Sequence, residues 1–453
     1  MRFLRLGFLG ASLLLLSVPA LAADPPNFLV FVADDMGGGD CGAYGHPSIR
    51  TPHLDQLARQ GMRFDQAFLT CSSCSPSRAS ILTSRYPHNT GAHQLHLPLS
   101  AKQIVVAEPL GERGYYTAAV GKWHLGPATK PEFDLVLEGK IDRMVETLRD
   151  RPRDQPFFFW YAFTDPHRPY QKDTIENPHA PEDALVPPFL PNTETVRKDF
   201  AMYYDEIARM DGVIGDVLAE LDRQQTAKNT VVVFLSDNGR PFPRCKTTVY
   251  DSGIQTPLIV RWPGHVPAGS ETEALVSSID VAATLCELAG APIPKTFQGQ
   301  SFAAVLSDPS AEHRDAVFAE HNWHDYESRQ RAVRTKQFKY IRDFYPDLPG
   351  TPPADAVRSP TYREMQRLRE SGELTAEHRE IFETPRPPEE LYDVTRDPYE
   401  LNNLADNPAY AEILKTMRAR LNQWQEEMKD TPPTKRRPDE FDRESGKRLP
   451  AYR

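Results

Sequence analysis

The sequence predicts an α/β protein with a large, mainly parallel sheet flanked by helices, followed by a smaller C-terminal α+β domain. Five short runs are apolar throughout, as is typical of strands covered on both faces. They span residues 28–33, 115–120, 157–163, 231–235 and 257–261. Helical patterns lie between them, at residues 53–60, 197–225 and 277–289. Strands that alternate with helices favour parallel pairing.

The pattern changes after about residue 309. Shorter and more polar strand patterns occur at residues 317–320, 331–334 and 338–342, and a polar, proline-bearing stretch spans 346–388. An amphipathic helical pattern follows at 411–430. We therefore expect an antiparallel sheet with one long helix. The predicted divisions are a signal peptide (1–22), a catalytic domain (23–309) and a C-terminal domain (310–453).

The first residues are typical of a secretory signal peptide. Arg2 and Arg5 precede an apolar run that ends in Ala20-Leu21-Ala22, which suits cleavage after Ala22. This predicts export to the periplasm or the medium. An uncleaved membrane anchor is the alternative, and the Ala-x-Ala ending disfavours it. No later segment is long and apolar enough to span a bilayer.

The charge and the cysteines limit the classes of function. The chain has 63 acidic and 53 basic residues among 453, a net charge of −10, which argues against nucleic-acid binding. An anionic ligand would need a local positive site. Five cysteines, an odd number in an exported chain, indicate at least one unpaired thiol. Oligomerisation is left open.

Acidic residues follow two of the apolar strands. Asp34 and Asp35 come directly after residues 28–33, and Asp237 and Asn238 follow 231–235. Ligands of open α/β sheets bind beyond the carboxyl ends of the strands. Adjacent carboxylates repel unless a cation lies between them, and oxygen ligands suit calcium or magnesium rather than zinc. The alternative is that these are turn residues.

Basic and imidazole side chains also follow strands. Lys122 and His124 come after residues 115–120, His167 comes after 157–163, and Lys246 lies shortly beyond Gly239. Together with Arg78 and a cation, these groups could hold a tetrahedral oxyanion such as sulfate or phosphate. A single histidine is more often structural, but the shared position at strand ends favours a common site.

Cys74 has three possible roles. A disulfide with Cys71 is one. A zinc site is disfavoured, because Cys71-x-x-Cys74 has no partner Cys or His pair at suitable spacing. The third is a nucleophile at the start of a helix, where the helix dipole favours an anion.

The residues around Cys74 resemble a family signature. Cys74-Ser75-Pro76-Ser77-Arg78 is similar to the Cys-x-Pro-x-Arg motif of the type I, formylglycine-dependent sulfatases of the alkaline phosphatase superfamily. Further blocks match that family in the same order: Asp34-Asp35, Gly121-Lys122-Trp123-His124, Asp237-Asn238-Gly239 and a segment from Lys246 to Gly264.

The resemblance implies a mechanism. Cys74 would be oxidised to formylglycine by a maturation enzyme, and one hydroxyl of its hydrate would attack sulfur. Arg78 would hold the formylglycine, Lys122 and Lys246 would neutralise the sulfate, and His124 would assist proton removal. His167 would protonate the leaving group. Calcium, with magnesium as the lesser alternative, would bind the family's ligand positions: Asp34, Asp35, Asp237, Asn238 and the oxygen derived from Cys74.

The resemblance also bears on the substrate. Residues 72–82, 165–168 and 186–195 are similar to the branch of the family that acts on N-sulfated glucosamine of heparan type. Lys246 departs from that branch, which carries arginine there, and the two cations differ in hydrogen-bond geometry. We expect Asp165, His321 and His324 to contact the sugar, or both histidines to pack between the domains.

Three other functions stay open at this point. They are an O-sulfatase for another sugar, a phosphonate or phosphodiester hydrolase that uses the same oxyanion site, and a non-catalytic binder of sulfated glycans. The proton-transfer groups His124 and His167 argue against the binder.

Overall fold

The computed structural model describes residues 24–452. The predicted signal peptide therefore lies outside the described residues. In the part that is described, no helix combines the length and the apolar character needed to cross a bilayer.

The large sheet contains eight strands in the spatial order β5–β4–β6–β1–β7–β8–β2–β9, and β3 and β10 form a separate parallel pair. Their bounds are β1 (Asn27–Ala33), β2 (Met62–Phe64), β3 (Ala67–Phe68), β4 (Tyr116–Gly121), β5 (Leu135–Glu138), β6 (Phe157–Ala162), β7 (Thr230–Ser236), β8 (Leu258–Arg261), β9 (Ser270–Thr272) and β10 (Val276–Ser277). Only β8 runs antiparallel to its neighbours in this sheet. The predicted mainly parallel sheet is confirmed.

Helices cover both faces of the sheet. Within the described residues they are α1 (Pro52–Arg59), α2 (Cys74–Thr83), α3 (Pro87–Thr90), α4 (Ala107–Gly111), α5 (Met144–Asp150), α6 (Glu194–Arg223), α7 (Asp251–Ile254), α8 (Asp280–Leu288), α9 (Ala303–Ser307), α10 (Ala354–Val357), α11 (Pro360–Glu370), α12 (Ala376–Arg379) and α13 (Ala411–Met428). Phe28 and Val30 of β1 pack on the face that α2 and α8 cover, whereas Leu29 and Phe31 pack towards α6. This explains why β1 is apolar at every position.

A four-stranded antiparallel sheet forms the C-terminal part. Its strands, in spatial and chain order, are β11 (Val317–His321), β12 (Gln330–Arg334), β13 (Phe338–Asp343) and β14 (Glu389–Asp393). The long helix α13 packs on it through Leu414, Met417, Leu421 and Trp424. The expected antiparallel sheet and long helix are both present.

Residues 346–388, the polar, proline-bearing stretch, contain α10, α11 and α12. Pro360 is the first residue of α11, where a missing N–H costs nothing. Ser359 caps that helix by accepting a hydrogen bond from the Tyr362 N–H at 3.2 Å. Tyr362 and Met365 pack in the same core as Phe200 of α6. Packing therefore crosses the predicted domain boundary at 309–310.

Candidate active site

The carboxyl ends of β1 and β7 bring four oxygen-bearing side chains together. The two strands pair in parallel, with Ala33 opposite Ser236, so the residues that follow face each other. The Asp35 N–H donates to Oδ1 of Asp237 at 3.2 Å, and Nδ2 of Asn238 donates to Oδ1 of Asp35. Asp34, Asp35, Asp237 and Asn238 are all buried. Asp35 has a φ of 76°, a left-handed conformation that is uncommon outside glycine and is often found at functional sites.

Cys74 is the first residue of α2 and lies against this cluster. Its Sγ is 3.9 Å from Oδ1 of Asp35, and the residue is 2% exposed. Burial raises the pKa of the thiol well above its usual value, although Lys122 and Lys246 act in the opposite direction. The Cys71–Cys74 disulfide is not formed, since all five cysteines are free. An unmodified thiol here would be a poor nucleophile, because the thiolate is the reactive form.

The three carboxylates form close pairs with three basic side chains, and Nη2 of Arg78 also lies 3.8 Å from Oδ1 of Asp34. The pairs are Arg78 Nε with Asp237 Oδ2 (2.7 Å), Lys122 Nζ with Asp34 Oδ2 (2.5 Å) and Lys246 Nζ with Asp35 Oδ2 (2.7 Å). Burial lowers the pKa of Lys122, but the nearby anionic groups, of which Asp34 is the strongest, together outweigh burial and the pKa is raised. The pKa of Lys246 is raised in the same way, with Asp35 as the strongest of its anionic neighbours. Both ammonium groups therefore stay charged.

The oxygen cluster fits a divalent cation. Oδ1 of Asp34 and Oδ1 of Asn238 are buried and have no hydrogen-bond partner among the described residues. An unsatisfied buried oxygen is costly, and a cation between these atoms would satisfy both. Burial, only partly offset by Arg78, raises the pKa of Asp237 to about 6. With three carboxylates matched by three basic groups, a divalent ion would leave a net positive site, which suits an oxyanion.

His124 lies next to Lys122 and contacts a second histidine that the sequence analysis did not identify. Nε2 of His124 is 2.7 Å from Nδ1 of His96, which belongs to the loop between α3 and α4. Burial and the charge of Lys122 lower the pKa of His124 to about 2. The imidazole is therefore neutral.

His167 is partly exposed and lies between two carboxylates. Its Nε2 is 3.8 Å from Oδ2 of Asp35 and 3.7 Å from Oδ2 of Asp355 in α10. Its side chain is 28% exposed. Nδ1 contacts the carbonyl oxygen of Arg168, so Nδ1 carries the hydrogen. Asp355 was missed because it belongs to the C-terminal part and to no recognisable motif.

The structure separates the three residues expected to contact the sugar. His324 lies at the site, with Nδ1 2.7 Å from Oγ of Ser73, the neighbour of Cys74. The carboxylate of Asp165 is instead held by Arg209, at 2.7 and 2.8 Å. His321 is buried next to other charged groups, and burial together with Arg386 and Arg331 lowers its pKa to about 3.

Gly121 allows β4 to deliver Lys122 to the site. Its φ is 97°, and a Cβ at this position would lie 1.9 Å from the carbonyl oxygen of Ala162. No other residue fits such a close approach between neighbouring strands. The chain turns here towards the carboxyl ends of β1 and β6, where the site is built.

Two family models match the chain. The model described as Sulfatase matches residues 26–140 and 138–291, and the model described as N-sulphoglucosamine sulphohydrolase, C-terminal, matches residues 244–376. The human protein N-sulphoglucosamine sulphohydrolase is 34% identical, over 92% of this chain and 93% of its own length. An ulvan-active sulfatase of Formosa agariphila is 32% identical, over 88% of this chain and 74% of its own length.

Solved structures share the fold. A protein solved in complex with its substrate D-glucosamine-2-N,6-O-disulfate has a TM-score of 0.71 at 22% identity, over 90% of this chain and 99% of that one. A phosphonate monoester hydrolase of Agrobacterium radiobacter has a TM-score of 0.71 at 19% identity, over 89% and 96%. The fold is that of the alkaline phosphatase-like hydrolases. The chain belongs to the sulfatase family and is a hydrolase of sulfuric esters or sulfamates.

Proposed function

We propose that this protein is an exported sulfatase that removes sulfate from a glycosaminoglycan, with N-sulfoglucosamine at a chain end as its substrate. The observation that carries the proposal is the buried cluster in which three carboxylates and three basic groups surround Cys74. The substrate class rests on the name of the human relative and on the sugar in the solved complex.

Sulfatases generally use a divalent metal and a formylglycine made from cysteine. Here the metal would be calcium, held by Asp34, Asp35, Asp237 and Asn238, whose oxygen donors suit that ion. It would add positive charge next to the sulfate oxygens. Cys74 would be converted to formylglycine by a maturation enzyme of the host, since a buried thiol of raised pKa cannot act as the nucleophile.

The remaining residues have separate roles in this proposal. Lys122 and Lys246 bind the sulfate oxygens, and Arg78 fixes the group at position 74. His124, whose Nε2 is 2.7 Å from Nδ1 of His96, takes up the proton that is released as sulfate leaves. His167 donates a proton from Nε2 to the leaving nitrogen or oxygen, and the Arg168 carbonyl oxygen fixes its ring through Nδ1, with Asp355 3.7 Å away.

Peptide mass spectrometry across residues 70–85 tests the nucleophile, using protein from the native host. We expect an aldehyde at residue 74 that a hydrazine reagent traps. A free thiol in active protein would refute the mechanism. The N-terminus of the exported protein should be Ala23, which the same digest would show.

Sulfate release tests the substrate. We expect turnover of N-sulfoglucosamine to exceed that of 6-O-sulfoglucosamine and of an aryl phosphonate monoester. A preference for the 6-O-sulfated sugar would make the protein an O-sulfatase, and a preference for the phosphonate would favour the phosphonate hydrolase. Cys74→Ala protein, which keeps the other groups, is the control and should bind the sugar without releasing sulfate.

A further inference from the structure

A second positively charged cavity lies where α13 ends. This basic pocket has a volume of about 390 Å³ and is lined by residues of the segments 88–94, 322–331 and 429–437. Its basic side chains are Arg329, Arg331, Lys429, Lys435, Arg436 and Arg437, and its acidic ones are Glu327 and Asp430. The excess of basic over acidic groups is the reverse of the balance in the whole chain.

Both acidic side chains of the basic pocket are already engaged. Glu327 accepts hydrogen bonds from Arg436 at 2.6 and 2.9 Å. Asp430 accepts from Arg331 at 2.7 and 2.8 Å, and from Nη2 of Arg329 at 3.2 Å. Lys429 and Lys435 are exposed, and across residues 24–452 neither ammonium group forms an ion pair. Positive charge at the rim is therefore left without an acidic partner.

Arg329 is a second, independent sign of an anion site. Its side chain is only 4% exposed, yet Nε and Nη1 have no hydrogen-bond partner among the described residues. Its single carboxylate partner, Asp430, is shared with Arg331. A buried guanidinium with two unused donors is unfavourable, and an anion bound in the pocket would offset this cost.

Two short segments connect the basic pocket to the active site. Residues 93–96 run from the pocket to His96, which contacts His124. Residues 322–325 run from the pocket to His324, which contacts Ser73 next to Cys74. A hydrogen bond joins the two segments: the Leu95 N–H donates to the carbonyl oxygen of Trp323 at 3.2 Å. Three residues of chain span at most about 10 Å, so the two sites are close neighbours.

We propose that the basic pocket binds a sulfate or carboxylate group on the sugars that follow the one whose sulfate is removed. This inference rests on the proposed function, since it assumes a polyanionic glycan in the active site. The pocket would make the enzyme prefer oligosaccharides over the free monosaccharide. Because the attraction is ionic and the rim is exposed, the preference should weaken as salt is raised.

Kinetics with two substrate lengths test this. The ratio of kcat/KM for a heparan-type tetrasaccharide ending in N-sulfoglucosamine to kcat/KM for N-sulfoglucosamine alone should exceed ten for the wild type. Lys435→Glu should lower that ratio about tenfold, and Arg329→Gln should act in the same direction. Lys415→Glu, the same charge change at an exposed position of α13 outside the pocket, should leave the ratio unchanged. A ratio near one, or equal ratios in Lys435→Glu and the wild type, would overturn the inference.

A binding measurement separates failure of the inference from failure of the proposed function. Calorimetry with Cys74→Ala protein and the tetrasaccharide should give a Kd that Lys435→Glu raises about tenfold and that Lys415→Glu leaves unchanged. If no sulfate is released from either substrate, the proposed function fails, while this binding result still decides the inference. Arg329→Gln is interpreted only if its melting temperature matches that of the wild type. Lys435 is exposed, so its variant does not depend on this condition.

Discussion

Oδ2 of Asp355 lies 3.7 Å from Nε2 of His167, across the boundary between the C-terminal part and the large sheet. His167 follows β6, and Asp355 belongs to the short helix α10. A carboxylate at this distance is beyond hydrogen-bond range but close enough to act on the imidazole electrostatically. The C-terminal part therefore contributes to the site itself as well as to its surroundings.

Asp355→Asn should slow reactions that need proton donation to the leaving group. We expect kcat/KM for a sugar sulfate or sulfamate to fall about tenfold, equivalent to ~1.4 kcal/mol in the barrier. Hydrolysis of 4-nitrophenyl sulfate, whose leaving group needs no proton, should change little. Equal losses on both substrates would mean that Asp355 acts on folding or sulfate binding instead. Asp406→Asn, an exposed change in the same part of the chain, is the control.

Calcium should stabilise the protein through the oxygen cluster. Removal of calcium with a chelator should lower both activity and melting temperature, and added calcium should restore them. At a free concentration of one hundred times Kd, one bound ion adds about 2.7 kcal/mol to the free energy of unfolding. Asp34→Asn should abolish the calcium-dependent shift, whereas Asp216→Asn, an exposed change on α6, should keep it. The prediction is wrong if Asp34→Asn melts with the same calcium dependence as the wild type.

The charge of Glu320 should make the free energy of unfolding depend on pH. Although burial raises the pKa of this carboxyl, His88 and Arg331 outweigh burial and lower it from 4.5 to about 2. Because the folded-state pKa is depressed, this contribution is fully present above pH 4.5 and is lost as the pH falls towards 2. Its size is roughly 3 kcal/mol, since each pKa unit is ~1.4 kcal/mol.

Urea unfolding of Glu320→Gln at several pH values tests this. The variant should be less stable than the wild type at pH 7, and the difference should shrink as the pH is lowered from 4.5 to 3. A difference that does not depend on pH in this range would show that the charge of Glu320 is not responsible. Glu312→Gln removes a carboxylate from an exposed ion pair and should show little difference at any pH.

Gly121→Ala should destabilise the protein severely. The added Cβ would lie 1.9 Å from the carbonyl oxygen of Ala162, and the backbone of neighbouring strands cannot yield without disrupting the sheet. We expect a loss of more than about 4 kcal/mol in the free energy of unfolding, or failure to fold. Gly139 has a φ of 72° but nothing within 4 Å of its Cβ position. Gly139→Ala should therefore cost only about 1 kcal/mol, from the backbone conformation alone.

The strands of the large sheet that carry the site could be predicted from the sequence. The apolar runs agree with β1, β4, β6, β7 and β8 to within one residue at each end. Strands buried on both faces leave an uninterrupted apolar signal, and the polar residues after β1 and β7 share one edge because the strands are parallel. The short strands β2, β5 and β9 were missed because runs of three or four partly exposed residues carry no such signal.

Long-range contacts in the site could not be predicted. His96 lies on an irregular loop, and Asp355 lies in the polar, proline-bearing stretch 346–388. Nothing in their local sequence indicates that they reach His124 and His167. Their positions depend on how the loops pack over the sheet, which periodicity does not encode. In the same way, the sequence predicts that Asp165 follows β6, but it does not reveal that Arg209 donates hydrogen bonds to the Asp165 carboxylate.

Because α2 is completely buried, its first residue is accessible to another enzyme only before the chain has folded. Every residue of α2 is buried, and Cys74 is 2% exposed, so another enzyme cannot reach this side chain once the chain has folded. The proposed oxidation of Cys74 would therefore compete with folding, and a chain that folds first would keep an inert thiol. The active fraction of a preparation would then report the ratio of two rates. Slower folding during synthesis, for example at lower temperature, should raise that fraction without any change of sequence.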